Sequence, residues 1–161
     1  MAKAIVSPTS GIPRANRIRV GGWVLVSPIA IGPITAIYRA RPAGADDDRP
    51  AMYAVKILRD AWMHDQRAVE LLHREATVGR RVSHPHLVPV LASQLDTPPR
   101  YLVMPCLQGT TLESQLRTHG PFDVPTALWI VRQAAEALDA LFTAGYVHSD
   151  LKPENILVTE E

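Results

Sequence analysis

The run His148-Ser149-Asp150-Leu151-Lys152-Pro153-Glu154-Asn155 gathers three side chains of complementary chemistry on one short segment. Asp150 can accept a hydroxyl proton, Lys152 can neutralise a phosphate, and the amide oxygen of Asn155 can ligate a hard cation. Lys56, in Tyr53-Ala54-Val55-Lys56, reads alone as a solvated strand-end lysine, and Glu75, in Arg74-Glu75-Ala76, as a charge on the wet side of a helix. His84 and His86 flank Pro85 with no third ligand close by, so their spacing does not point to a metal. Trp23, Trp62 and Trp129 read as packing residues. Cys106 is the sole cysteine, which excludes an internal disulfide and a thiolate-rich zinc site and leaves a small, buried apolar residue as its reading.

The elements that must position these groups are set by a composition ordinary for a globular domain. The 161 residues are 47% apolar and 20% charged, and 17 Lys+Arg against 16 Asp+Glu leave a formal net charge of +1. Wholesale disorder, collagen-like repeats and a nucleic-acid-binding tail are excluded, and no global field steers an anionic partner. No apolar run approaches the roughly 20 residues that cross a bilayer, and Lys3 followed by Ala4-Ile5-Val6 is too short for a signal-peptide core. The chain reads as cytosolic, without a membrane segment or a nucleic-acid partner.

Residues 1–18 carry turn formers without apolar period and read as a mobile tail. From Arg19 the pattern is β. Val20 to Val26 forms one run and Thr35-Ala36-Ile37-Tyr38 another, joined by a long connection holding Pro28, Gly32 and Pro33; Met52 to Leu58 is a third strand. Helical spacing from about Asp65 to Val82 puts Val69, Leu72, Ala76 and Gly79 on one stripe. Val88-Pro89-Val90-Leu91 and Tyr101-Leu102-Val103-Met104 complete five strands. Beyond Gly109 the chain turns helical, first near Leu112–Arg117 and then over 124–144, with Asp123 as N-cap and Gly145 just past the end. Leu128, Val131, Ala135, Leu138 and Phe142 recur at helical spacing on that long helix, a stripe that must be covered.

The segment 148–155 resembles the catalytic loop of protein kinases, His-Arg-Asp-Leu-Lys-x-x-Asn, and its Lys152-Pro153-Glu154 form is similar to the serine/threonine branch. Order and distance agree along 19–158. The resemblance implies an α+β kinase-like fold: an N-lobe of five antiparallel strands with one helix and a hinge at 19–107, then part of a mainly helical C-lobe at 108–161. It implies ATP and Mg²⁺ as cofactors and a protein Ser/Thr hydroxyl as acceptor. Lys56 would hold the non-transferred phosphates and Glu75 would hold Lys56. Met104, Pro105 and Leu107 would receive adenine, Ala30 and Gly32 would lie in the loop over the phosphates, Asp150 and Lys152 would be catalytic, and Asn155 would hold a metal. His148 would support the loop from behind.

Three departures from the family carry expectations. Ala30, Gly32 and Thr35 occupy the places of the three loop glycines, and Pro33 has no N–H, so the phosphate grip is expected to be weaker or differently shaped. Ser149 replaces the arginine before the catalytic Asp, which removes the partner through which activation-loop phosphorylation would order the site. Glu161 precedes any Asp-Phe-Gly segment; the 161 residues are therefore read as the first part of a kinase domain, a truncated reading frame or a fragment, without useful phosphoryl transfer of their own. The uncovered 124–144 face is then of the kind associated with self-association. The rival readings are a pseudokinase acting as an interaction module and a small-molecule phosphotransferase of the same fold; Lys152-Pro153-Glu154 argues against the latter.

Overall fold

The computed structural model describes residues 18–46 and 49–159; the expected tail at 1–18 lies, but for its last residue, outside them. An antiparallel sheet of six strands takes the order β1-β2-β3-β4-β6-β5, from β1 (Arg19–Val20), β2 (Trp23–Ile31), β3 (Thr35–Pro42), β4 (Tyr53–Leu58), β5 (Ala92–Gln94) and β6 (Tyr101–Pro105). Sequence patterning gives five strands, and the sixth comes from a break inside its first run. Gly21, at φ +55, and Gly22 make a two-residue turn that folds Arg19 back on Val24. A side chain at Gly21 would run into the ring hydroxyl of Tyr101.

Two other boundaries move for identifiable reasons. Strand β2 continues through Pro28 to Ile31, with bulges at Leu25/Ser27 and Pro28/Ala30 absorbing the proline, so the connection to β3 is the short turn 32–34 and not a long loop. The run Val88–Leu91 is not a strand. Pro89 has no N–H, the N–H of Val90 donates to Gly79 O at 2.9 Å, and pairing begins only at Ala92. Gly79 permits that approach, since a Cβ there would collide with Val90.

Helix α1 (Gln66–Arg81) starts at Asp65, whose carboxylate accepts from the N–H of Ala68 at 2.8 Å. Its Ala68, Leu72 and Ala76 pack with Leu58, Leu102, Val90 and Leu95 on one face of the sheet, while Val20, Leu25, Ala40, Val55, Tyr101 and Val103 form a second cluster. Alternation along β4 therefore assigns its side chains: Val55 joins the second cluster, and Lys56 shares a face with Leu58, toward α1.

After Gly109 come β7 (Thr110–Thr111), α2 (Leu112–His119), α3 (Val124–Thr143) and β8 (Leu157–Val158), with β7 and β8 paired as a separate two-stranded sheet. Gly109 is at φ +148 against the backbone of Val158, where a Cβ would collide with the Val158 carbonyl. Helix α3 is capped by Asp123, which accepts from Thr126 N at 2.9 Å. Its C-terminus closes with Gly145 N to Phe142 O and Tyr146 N to Leu141 O, both 2.9 Å, with Gly145 at φ +81. Ala137 and Leu141 are buried, whereas Val124, Leu128, Trp129, Val131 and Phe142 are exposed. No helix among the described residues is long and apolar enough to cross a membrane.

Candidate active site

Lys56 and Glu75 meet. Lys56 Nζ lies 2.7 Å from both carboxylate oxygens of Glu75, and the side chains are 22% and 41% exposed. Both positions follow from local structure. Lys56 sits on the α1 side of a strand flanked by β3 and β6, and Glu75 lies one turn beyond Leu72 on the face that α1 turns to the sheet. The partial exposure means that the pair contributes about 1 kcal/mol or less to stability. Its effect is to hold a flexible ammonium in one place.

A second cluster is held by the segment after α3. Asn155 Nδ2 donates to the backbone oxygen of Asp150 at 2.8 Å and to Asp150 Oδ2 at 2.9 Å, and Lys152 Nζ lies 3.0 Å from Asp150 Oδ1. The hydrogen bond from Lys152 comes first, then that from Asn155, with the charges of Lys152 and His148 adding; together they hold the Asp150 carboxyl below the usual carboxylate range. Asp150 is thus an ionised acceptor at neutral pH. The backbone N–H of Asp150 reaches His148 Nδ1 at 3.4 Å, a long contact. Between them Ser149 occupies the left-handed region at φ +64, a non-glycine residue under strain of about 1 kcal/mol. Pairing of β7 with β8 and the bond Leu112 N to Ile156 O, 2.8 Å, tether the far end of the segment. No hydrogen bond or ion pair among the described residues joins the two clusters directly. The halves of the chain are linked instead by Arg81 Nη1 donating to Tyr146 Oη at 3.3 Å and by His86 Nε2 lying 3.7 Å from Glu136 Oε2.

The protein kinase domain family profile matches residues 31–161. The chain belongs to that family. Among curated relatives, it is 37% identical over 108 residues to serine/threonine-protein kinase PknH of Mycobacterium bovis, covering 67% of this chain and 18% of that protein. It is 36% identical over 116 residues to serine/threonine-protein kinase PknE of Mycobacterium tuberculosis, covering 72% and 20%. Among solved structures, the Mycobacterium tuberculosis PknI kinase domain, in its C20A_R136A double mutant, aligns with TM-score 0.75 at 24% identity over 93% of this chain and 58% of that one. The chain thus spans about a fifth of those curated relatives and under two thirds of that kinase domain.

Met104 pairs with Ala54 and Pro105 with Tyr53 at the end of β6, and Met104 is half-buried against the α1-side core. Leu107 is exposed beyond them, and its backbone takes no hydrogen bond among the described residues. Ala30 pairs with Ile37 and is exposed, and the N–H of Gly32 is turned onto Thr35 O at 2.9 Å. The Gly32 amide is therefore occupied within its own turn. Cys106, expected to be buried, is half-buried.

These residues fit a Mg²⁺-nucleotide. A held ammonium, a Leu107 backbone without a hydrogen bond among the described residues and a carboxylate beside the Asn155 amide are its kinds of partner, and Mg²⁺ commonly takes few protein oxygens and keeps waters and phosphates. No group of three or more metal-ligating side chains occurs among the described residues.

Sequence reasoning missed Arg59. Its Nη1 donates to Gly32 O at 3.2 Å and to Pro33 O at 3.4 Å, and its backbone N–H donates to Ile34 O at 2.9 Å. Only the strand register, which brings the residue after β4 beside the β2–β3 turn, reveals it.

Proposed function

We propose that this chain carries the phosphate-holding and hydroxyl-activating groups of a serine/threonine protein kinase, with ATP as donor and a protein Ser or Thr hydroxyl as acceptor. The observation that carries the reading is the two-oxygen ion pair of Lys56 with Glu75, which fixes a cation on the inner face of the sheet. Bound Mg²⁺·ATP supplies the transferable phosphoryl group and screening of its oxygens. Lys56 would hold the non-transferred phosphates, Met104 would line the adenine pocket, and the backbones of Pro105 and Leu107 would supply hydrogen bonds. Ala30 and Gly32 would lie over the phosphates.

Asp150, ionised and held by Asn155, would orient the acceptor hydroxyl and take its proton, while Lys152 would stabilise charge on the transferring group. Asn155 donates its Nδ2 hydrogens to Asp150, which leaves its Oδ1 for a cation. The serine/threonine assignment rests on Lys152-Pro153-Glu154 and on the relatives' names. With Ser149 in place of arginine, activity would not require a phosphorylated activation loop.

Titration calorimetry of the full chain with Mg²⁺·ATP tests the reading. Binding is expected, weakened about 10- to 100-fold in Lys56→Met, because a charge-assisted contact of about 1.5–3 kcal/mol is lost. An unaltered affinity in that variant, or no binding by the wild type, would overturn it.

A further inference from the structure

The turn between β2 and β3 is held from outside. Three successive carbonyls, those of Gly32, Pro33 and Ile34, all accept from Arg59: the first two from Nη1 at 3.2 and 3.4 Å and the third from its backbone N–H at 2.9 Å. Inside the turn, the Gly32 N–H is satisfied by Thr35 O at 2.9 Å. Arg59 follows directly on β4, whose Lys56 and Leu58 pair with Ile37 and Thr35 of β3, so it is carried by an interior strand of the sheet.

Peptide units are planar and trans, so a carbonyl pointing one way sends the N–H of the next residue the other way. Fixing the Pro33 and Ile34 carbonyls on Arg59 therefore directs the amides of Ile34 and Thr35 to the opposite side of the turn. Pro33 has no amide of its own, and the Gly32 amide is occupied. A turn with three glycines samples many conformations, whereas this one has a proline and an external guanidinium clip.

We propose that Arg59 is a positioning residue for nucleotide binding: it locks the β2–β3 turn in one conformation and so fixes the two amides that remain to meet the phosphates. The inference rests on the nucleotide-binding reading above. It makes the degenerate sequence Ala30-Ile31-Gly32-Pro33-Ile34-Thr35 a rigid cover whose order comes from β4.

The experiment uses the full chain in wild-type, Arg59→Ala and Arg59→Lys forms, with two readouts. Amide exchange followed by NMR should show the Gly32 N–H exchanging about fivefold faster in Arg59→Ala, the effect of one net hydrogen bond. Leu102 and Val103 amides should be unchanged, which reports an intact core; Arg59→Lys, able to reach one carbonyl at a time, should fall between. Calorimetry with Mg²⁺·ATP and with adenosine supplies a readout that mere folding would not split: Arg59→Ala should weaken ATP about fivefold and leave adenosine unchanged. Unchanged exchange at Gly32 would overturn the clip, and equal effects on ATP and adenosine would overturn its link to phosphates. If the wild type binds neither compound, the nucleotide reading falls, and the positioning role falls with it, whatever the exchange rates.

Discussion

Replacing Glu75 by Gln isolates what the ion pair does, because the side chain keeps its size and loses its charge. Two effects of opposite sign follow. Lys56 loses the partner that holds it, and re-ordering a free lysine side chain on nucleotide binding costs about 1.5–2 kcal/mol. An anion touching the same ammonium would lie about 4 Å from the Glu75 carboxylate, and removing that repulsion at water-like screening returns about 1 kcal/mol. Water-like screening is the appropriate limit because Glu75 is 41% exposed. Ordering wins by about 0.5–1 kcal/mol, so Glu75→Gln should weaken Mg²⁺·ATP binding about two- to fivefold, less than Lys56→Met does. The assay is a double-mutant cycle by calorimetry. In the Lys56→Met background Glu75→Gln should have no unfavourable effect on ATP, since Glu75 acts through Lys56. An equal loss in both backgrounds would refute the reasoning.

Three further predictions concern the second half of the chain. By carboxyl NMR titration, Asp150 should titrate below the usual carboxylate range; Lys152→Ala should raise its midpoint more than Asn155→Ala, the order of their hydrogen bonds to it. Because the folded value is the lower one, the contribution of Asp150 to loop stability is present above the ordinary carboxylate value and is lost as pH falls through the depressed one. Gly109→Ala should cost about 2 kcal/mol or more in urea unfolding, since φ +148 and the Val158 carbonyl both reject a Cβ; an unchanged midpoint would contradict the clash. We also propose that the exposed α3 face with Leu128, Val131 and Phe142 drives self-association. Sedimentation should then show a concentration-dependent species that Leu128→Glu abolishes.

Much of the fold was legible because period and punctuation agree with it. Helix α3 begins at the Asp123 cap that the sequence offers and Gly145 closes it as expected, while α1 begins at Asp65, where the helical spacing starts. The errors share a cause, the competition between local pattern and a partner elsewhere. Val20 to Val26 has a continuous β composition, yet Gly21 beneath Tyr101 folds it. Val88–Leu91 has strand composition, yet Gly79 on α1 takes the Val90 amide. Lys56 and Glu75 were identified by motif, but their contact needs β4 to face α1, which follows from strand alternation only once the sheet order is known. Arg59 carries no motif at all.

The two clusters are held by different physics, and this has a consequence for how they fail. Lys56 and Glu75 are fixed by burial around them, with Leu58, Leu72 and Leu102 in one core cluster. Asp150 and Lys152 are exposed and are fixed by tethers at the two ends of their segment: the Gly145 closure of α3 and the β7–β8 pair resting on Gly109. Leu72→Ala should therefore cost about 2–5 kcal/mol through its cavity and disturb Glu75, while Gly109→Ala loosens the Asp150 segment. The two substitutions share no packing partner, so their costs should add to within about 0.5 kcal/mol in urea unfolding. A coupling energy above 1 kcal/mol would mean that the α1 core and the β7–β8 tether form one cooperative unit, and that the active-site halves are built on a common support.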